Sequence, residues 1–217
     1  MSLRSPSKRR DGLRWRLLVP IAIVVPVVAA AAGFGYHVLS SADDAALVQQ
    51  RAASVVAVLE HRLEERQQTK EIFAQLVAAR DGLSGAVVRE DPVAVAQILV
   101  PLKARLDLGF VHAHGPDMTL LGDNSDEMAH LLEPLGVSAM AGVSDSLIAL
   151  ALNGVVVAAA SPIKGPKGVV GWVEVGAELS VDDLAAMTDD GVEIAIFRGD
   201  RLLSSTFASG PLEALLA

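Results

Sequence analysis

Cysteine is absent from all 217 residues, which excludes a disulfide framework and a lipid-bearing cysteine anchor. Aromatic side chains are scarce, and the one tyrosine, Tyr36, falls in an apolar stretch near the N-terminus. Excess positive charge is missing too. The net charge is −8, and the first sixteen residues alone carry about +5, so the remainder holds about −13. An acidic body of this kind lacks the basic stripe that nucleic acid requires. Catalytic signatures are equally lacking: Ser161 has no nucleophile-elbow surroundings, and no glycine-rich phosphate loop precedes a helix. The pair Asp189-Asp190 sits at an expected helix end, where a solvated loop accounts for it. No enzymatic chemistry is expected of the chain, and no cofactor.

Charge of either sign is missing from Leu17 to Ala42. Arg4, Lys8, Arg9, Arg10, Arg14 and Arg16 precede this run, opposed by Asp11 alone, and Asp43 and Asp44 follow it. The 23 residues Leu17 to Leu39 span about 34 Å as a helix, enough to cross a hydrocarbon core of about 30 Å. Basic residues mark the cytoplasmic side, so residues 1–16 read as a cytoplasmic tail and 17–39 as a transmembrane helix in the inner membrane. A cleaved signal peptide shows the same charge order, and Ala29-Ala30-Ala31-Ala32-Gly33 offers small residues for cleavage; its apolar core is usually shorter, about 7–15 residues. A buried helix of a soluble protein is the third reading, opposed by apolar character all round the helix. Pro20 and Pro26 are compatible with a membrane helix.

From Ala45 to about Arg80 a single long helix is expected. Val48, Ala52, Val55, Leu59, Leu63, Phe73 and Leu76 or Val77 recur at spacings of three and four, with Glu60, Glu64 and Lys70 among the residues of the opposite face. Arg66 and Lys70 interrupt the stripe, against a pure coiled coil. Such a helix could support a domain or form half of a parallel dimer seam. Asp91-Pro92 then starts a helix, with the carboxylate as cap and proline at the first position. That helix is expected to end near Leu99, before Pro101, with a second turn over 102–108. Strands follow at Phe110–Ala113 and Thr119–Leu121, around the turn Gly115-Pro116-Asp117. Two short helices are expected next, one through Leu132 and one around Val137–Ala141.

The sheet signal is clearest beyond these. Leu147–Leu152 and Val155–Ala160 flank Asn153-Gly154, a strong two-residue hairpin turn. A second hairpin passes through Lys164-Gly165-Pro166-Lys167-Gly168 into Val169–Val175. Ser180 and Asp183 form a capping-box pattern for a helix over Val181–Met187. Val192–Phe197 and Leu202–Phe207 make a last hairpin across Gly199-Asp200.

This order resembles a Cache sensor domain, the extracytoplasmic relative of the PAS fold, from the apolar run to the end of the chain. The resembling residues are Leu108-Gly109-Phe110-Val111-His112 leading to Asp117, then Ala139-Met140-Ala141-Gly142. They continue with Ala158-Ala159-Ala160-Ser161-Pro162-Ile163 and Gly168-Val169-Val170-Gly171-Trp172-Val173-Glu174-Val175-Gly176. The resemblance implies an α+β fold: an N-terminal transmembrane helix, a long amphipathic helix over 43–82, and a PAS-like membrane-distal module over 83–188 with a central antiparallel sheet. Gly191 to Phe197 with Gly199-Asp200-Arg201 is similar to the first hairpin of a second, membrane-proximal module, here 189–217. In double Cache proteins that module continues for several strands and returns to a second span, so a fragment of a longer receptor is expected, the alternative being a short protein with a degenerate second module.

In a PAS-like arrangement ligands sit between the sheet and the small helices on its concave face. His112 and His114 alternate with Val111 and Ala113, so both imidazoles share one strand face. Arg105 precedes them, with Lys103 two residues earlier. Arg105, His112 and His114 are the ligand-binding candidates, and their donors would suit a small organic acid. The competing reading leaves both histidines in solvent and Arg105 as a helix-end cation. A metal is disfavoured because spacing fixes no third ligand, Asp117 and Asp123 being the available ones. Trp172 is read as core or pocket lining. The tyrosine-rich amino-acid signature of some double Cache receptors is missing. The functional expectation is therefore an extracytoplasmic (periplasmic) ligand-sensing input part of a membrane signal receptor, anchored in the lipid bilayer and paired as a parallel homodimer through the long helix. Its output would be a histidine kinase, a chemotaxis signalling helix or a cyclic-nucleotide enzyme. The alternative is an anchored scaffold that binds another protein.

Overall fold

The computed structural model describes residues 42–121, 129–151, 154–188, 193–198 and 201–206. The expected span at 17–39 lies outside these residues, and none of the described helices is long and apolar enough to cross a membrane. Helix α1 (Ala42–Ala78) is followed by α2 (Leu83–Val88) and α3 (Pro92–Arg105), then strands β1 (Phe110–His114) and β2 (Leu120–Leu121). Helix α4 (Ala129–Met140) leads to β3 (Asp145–Leu150), β4 (Gly154–Gly165) and β5 (Gly168–Ser180), and the short helix α5 (Val181–Ala186) precedes the β6 (Ala195–Arg198) and β7 (Arg201–Ser205) hairpin. The chain is α+β, and its larger sheet has the order β2-β1-β5-β4-β3.

Two compact units divide the chain, one of them comprising Arg62–Ala151 and Val155–Leu179. Its architecture follows from the alternation along β1 and β5. Val111 and Ala113 lie opposite Val175 and Val173, and all four join a core with Leu83, Val87, Val95 and Leu99. That face is covered by the C-terminal half of α1 together with α2 and α3. The opposite face carries Phe110 and Trp172, packed with Leu132, Leu135 and Ala139 of α4 and with Val156 and Ala158 of β4.

Local chemistry sets the helix boundaries. The Asp91 carboxylate accepts a hydrogen bond from the Ala94 amide at 3.0 Å, with Pro92 at the first helical position. Contrary to expectation, α3 does not stop before Pro101 but continues through it to Arg105. Proline frees the carbonyl of Gln97, which is exposed and can bond water, while the buried Val95 and Leu99 hold the helix on the sheet. The two short helices expected between 126 and 141 are likewise one, α4, which absorbs Pro134 because Leu132, Leu135 and Ala139 form a single buried stripe.

In α1 the inward side chains are Leu63, Lys70, Ala74 and Val77, whereas Leu76 is 54% exposed. Lys70 thus belongs to the buried side and not to the polar face. Its ammonium lies 5.7 Å from the Phe73 ring centroid, and burial, with Arg66 nearby, pulls its pKa down against the opposing effect of Asp107. Strand β4 runs past Ser161-Pro162-Ile163, farther than expected. Its pairing with β3 ends at Asp145↔Ala160, so Pro162 owes no amide to that neighbour. Leu150 pairs with Val155, and the turn expected at Asn153-Gly154 includes Asn153, which with Leu152 lies outside the described residues.

In the other unit, Ser180 caps α5 through a complete capping box: its hydroxyl accepts from the Asp183 amide, and the Asp183 carboxylate accepts from the Ser180 amide at 2.8 Å. Strands β6 and β7 pair antiparallel with an irregularity between Ile196 and Phe197. Thr206 closes this hairpin, its hydroxyl accepting from the Ile194 amide at 2.8 Å.

Candidate functional site

Strand pairing assembles the polar residues. The β1–β5 register sets Phe110 opposite Gly176, His112 opposite Glu174 and His114 opposite Trp172. Because side chains alternate, these residues share the face toward α4, away from the valine face. His112 is 4% exposed and the His114 side chain 13%, so neither histidine stands in open solvent as the competing reading had it, and Glu174 opposite them is 4% exposed.

The rings form a continuous row. Phe110 stacks on His112 with centroids 5.3 Å apart, and His112 meets His114 edge-on at 6.4 Å. His114 lies flat on the Trp172 indole, at 4.6 Å and 3°. Gly176 lets the Phe110 ring approach, since a Cβ there would overlap that ring and the Val157 carbonyl. Trp172, 1% exposed, is both a core residue and a wall of this row.

Glu174 ties the row together. Its Oε1 accepts from Trp172 Nε1 at 3.2 Å, and its Oε2 lies 3.2 Å from His114 Nε2. His114 Nδ1 is buried without a hydrogen-bond partner. One ligating atom each from His112, His114 and Glu174 falls within 4.8 Å of the others, a donor set of two imidazoles and one carboxylate.

Arg105 is not brought to this site. It is exposed in the last turn of α3, a helix whose buried residues pack on the other sheet face, and with Lys103 it complements the helix C-terminus. Asp117 serves the turn between β1 and β2. Its carboxylate accepts from the Thr119 amide at 3.2 Å, and these bonds from Thr119 hold its pKa below the usual value. Asp123 lies outside the described residues.

No protein-family model matches the sequence, and no curated protein does. Solved structures do. The periplasmic domain of Vibrio cholerae LuxQ superposes with a TM-score of 0.52 at 13% identity, over 73% of this chain and 80% of that one. The sensor domain of the V. cholerae histidine kinase DctB gives 0.56 at 10% identity, over 76% of this chain and 74% of that one. The chain shares the fold of these two domains. Within this fold, the residue that sequence reasoning missed is Glu174. It stands 60 positions from His114, and only the strand register makes them neighbours. The available signal was a lone acidic residue inside the apolar run Val169–Val175.

Proposed function

We propose that the chain is the ligand-sensing input part of a membrane signal-transduction receptor, with a cytoplasmic N-terminus, a span at 17–39 and the sensor fold outside the cytoplasm. The observation that carries this reading is the likeness of the fold to the LuxQ periplasmic domain and the DctB sensor domain. The uncharged run with its basic leader supports the same orientation. Ligand contact falls on the α4 face of β1 and β5, at His112 and His114, where buried polar groups converge in an otherwise apolar layer. Binding there would bias one arrangement of the sheet and α4 over another, and a cytoplasmic output domain would read the shift. Arg105 takes no part, and without it an organic acid would meet Glu174 with no fixed cation to offset the second negative charge. Parallel pairing through α1 fits the half-buried Ala52, Val55, Val56 and Leu59, which recur at spacings of three and four.

Two measurements test the reading. An alkaline phosphatase reporter, active only outside the cytoplasm, is fused after residue 16 and after residue 217 in a Gram-negative host. Activity from the second fusion alone is expected; activity from neither overturns the orientation. A thermal-shift screen of the full chain against metal ions, amino acids and organic acids should then give stabilisation by one class. If none stabilises and a protein partner does, the scaffold reading replaces the sensor.

A further inference from the structure

The ligand of this site can be named by its chemistry, resting on the sensing role proposed above. We propose that His112, His114 and Glu174 bind a divalent late first-row transition metal ion, with zinc as the working probe. The spacing is already close to that of a coordination shell. Bonds of about 2.0–2.1 Å in a tetrahedral site set ligand atoms about 3.3 Å apart, and His114 Nε2 and Glu174 Oε2 are 3.2 Å apart. The largest separation in the trio is within 4.8 Å, so adjustments of about an ångström would close the set about an ion.

Charge points the same way. A buried carboxylate beside two imidazoles attracts a cation and repels a second carboxylate. Two imidazole nitrogens disfavour magnesium and calcium, and the lack of cysteine disfavours a soft monovalent ion. Zinc, cobalt and nickel accept this mixed donor set.

The supporting residues hold the ligands in place. Trp172 Nε1 occupies Glu174 Oε1 and leaves Oε2 directed at His114, the kind of outer-shell bond that orients metal ligands. The Trp172 and Phe110 rings brace the two imidazoles by stacking. With Nδ1 bonded to nothing, the His114 ring can move its proton there and offer the Nε2 lone pair without giving up a second hydrogen bond. Three protein ligands leave a fourth position for water or a small anion.

The test uses the full chain, purified in detergent and stripped with chelator, then titrated with Zn²⁺ by calorimetry and with Co²⁺ by visible absorption. The chain has two tryptophans, Trp15 and Trp172, so a Trp15→Phe background makes quenching by Co²⁺ a direct report from Trp172. One ion per chain, a tetrahedral Co²⁺ spectrum and quenching of Trp172 are expected. His112→Gln and Glu174→Gln should each weaken binding by more than about tenfold while circular dichroism keeps the wild-type fold. Lack of binding by the wild type, or affinity unchanged in both variants, overturns the site. If a variant fails to fold, Trp172 quenching in the Trp15→Phe background still decides. Failure of the sensing role is separate: an unexported reporter fusion with intact zinc binding removes the receptor and leaves the metal, whereas an exported chain blind to zinc removes the metal alone.

Discussion

Gly136→Ala in α4 tests whether the row of rings is as tightly held as its geometry implies. A Cβ at position 136 would stand 2.9 Å from Trp172 Cζ2, 3.2 Å from Cε2 and 3.4 Å from Nε1. Carbon atoms in contact ordinarily rest about 3.5–4.0 Å apart, so the indole or the helix must yield by roughly 0.6 Å or more. The indole has little room to retreat. It is 1% exposed, stacked on His114 and bonded through Nε1 to Glu174. Overpacking of this kind costs about 1–3 kcal/mol, and alanine in place of a helical glycine returns about 1 kcal/mol. The net is a loss of about 1 kcal/mol, reaching about 2 kcal/mol if the Glu174 bond also lengthens. Urea unfolding followed by far-ultraviolet circular dichroism measures it, and Tm should fall by about 2–4 °C per kcal/mol for a chain of this size. The sign is the discriminating quantity. At an unconstrained helical position the same change stabilises, so a gain near 1 kcal/mol with unaltered Trp172 emission would refute the close packing of α4 on Trp172.

Other substitutions probe separate parts of the argument. Asp91→Ala removes the acceptor of the Ala94 amide and should lower stability by about 1 kcal/mol in the same urea assay, with Asp91→Asn retaining most of it. Ser180→Ala breaks the capping box, and amides at the start of α5 should exchange faster with solvent while those of β1 and β5 keep their protection. Lys70 gives a pH signature. Its native pKa lies below the ordinary 10.5, so the unfolded chain binds the proton more tightly than the folded one. Stability should therefore rise as pH climbs from the native value toward 10.5, and Lys70→Met should stabilise at neutral pH and flatten that rise. Alkaline-side chemical denaturation curves of the two proteins, unchanged relative to each other, would contradict the burial of this ammonium.

Features set by a few adjacent residues were legible in the sequence. Asp91-Pro92 and the Ser180–Asp183 pair announce helix starts because capping chemistry is local, and the period of two put His112 and His114 on one face. What the sequence hid depends on which elements meet. Arg105 is near His112 along the chain, yet α3 covers the opposite face of the sheet, and no local pattern says which face a preceding helix takes. Glu174 was invisible as a partner because the β1–β5 register alone sets it beside the histidines. Pro101 and Pro134 were overweighted as breakers because tertiary packing of the flanking leucines outweighs one lost backbone bond. Lys70 was grouped by its charge with the polar face, whereas its interruption of the apolar stripe marked the buried side that it occupies.

The alternation along β1 and β5 separates two jobs within the same ten residues. Odd positions, Val111, Ala113, Val173 and Val175, pack under α2 and α3; even positions, Phe110, His112, His114, Trp172 and Glu174, face α4. Exchange of His112 or His114 therefore changes the polar groups on the α4 face without removing a side chain from the valine core. A one-residue insertion or deletion in either strand does the reverse, turning imidazoles toward the valine core and valines toward the site. Such strands should diversify by substitution and keep their length, with changes of length confined to the connections that join them.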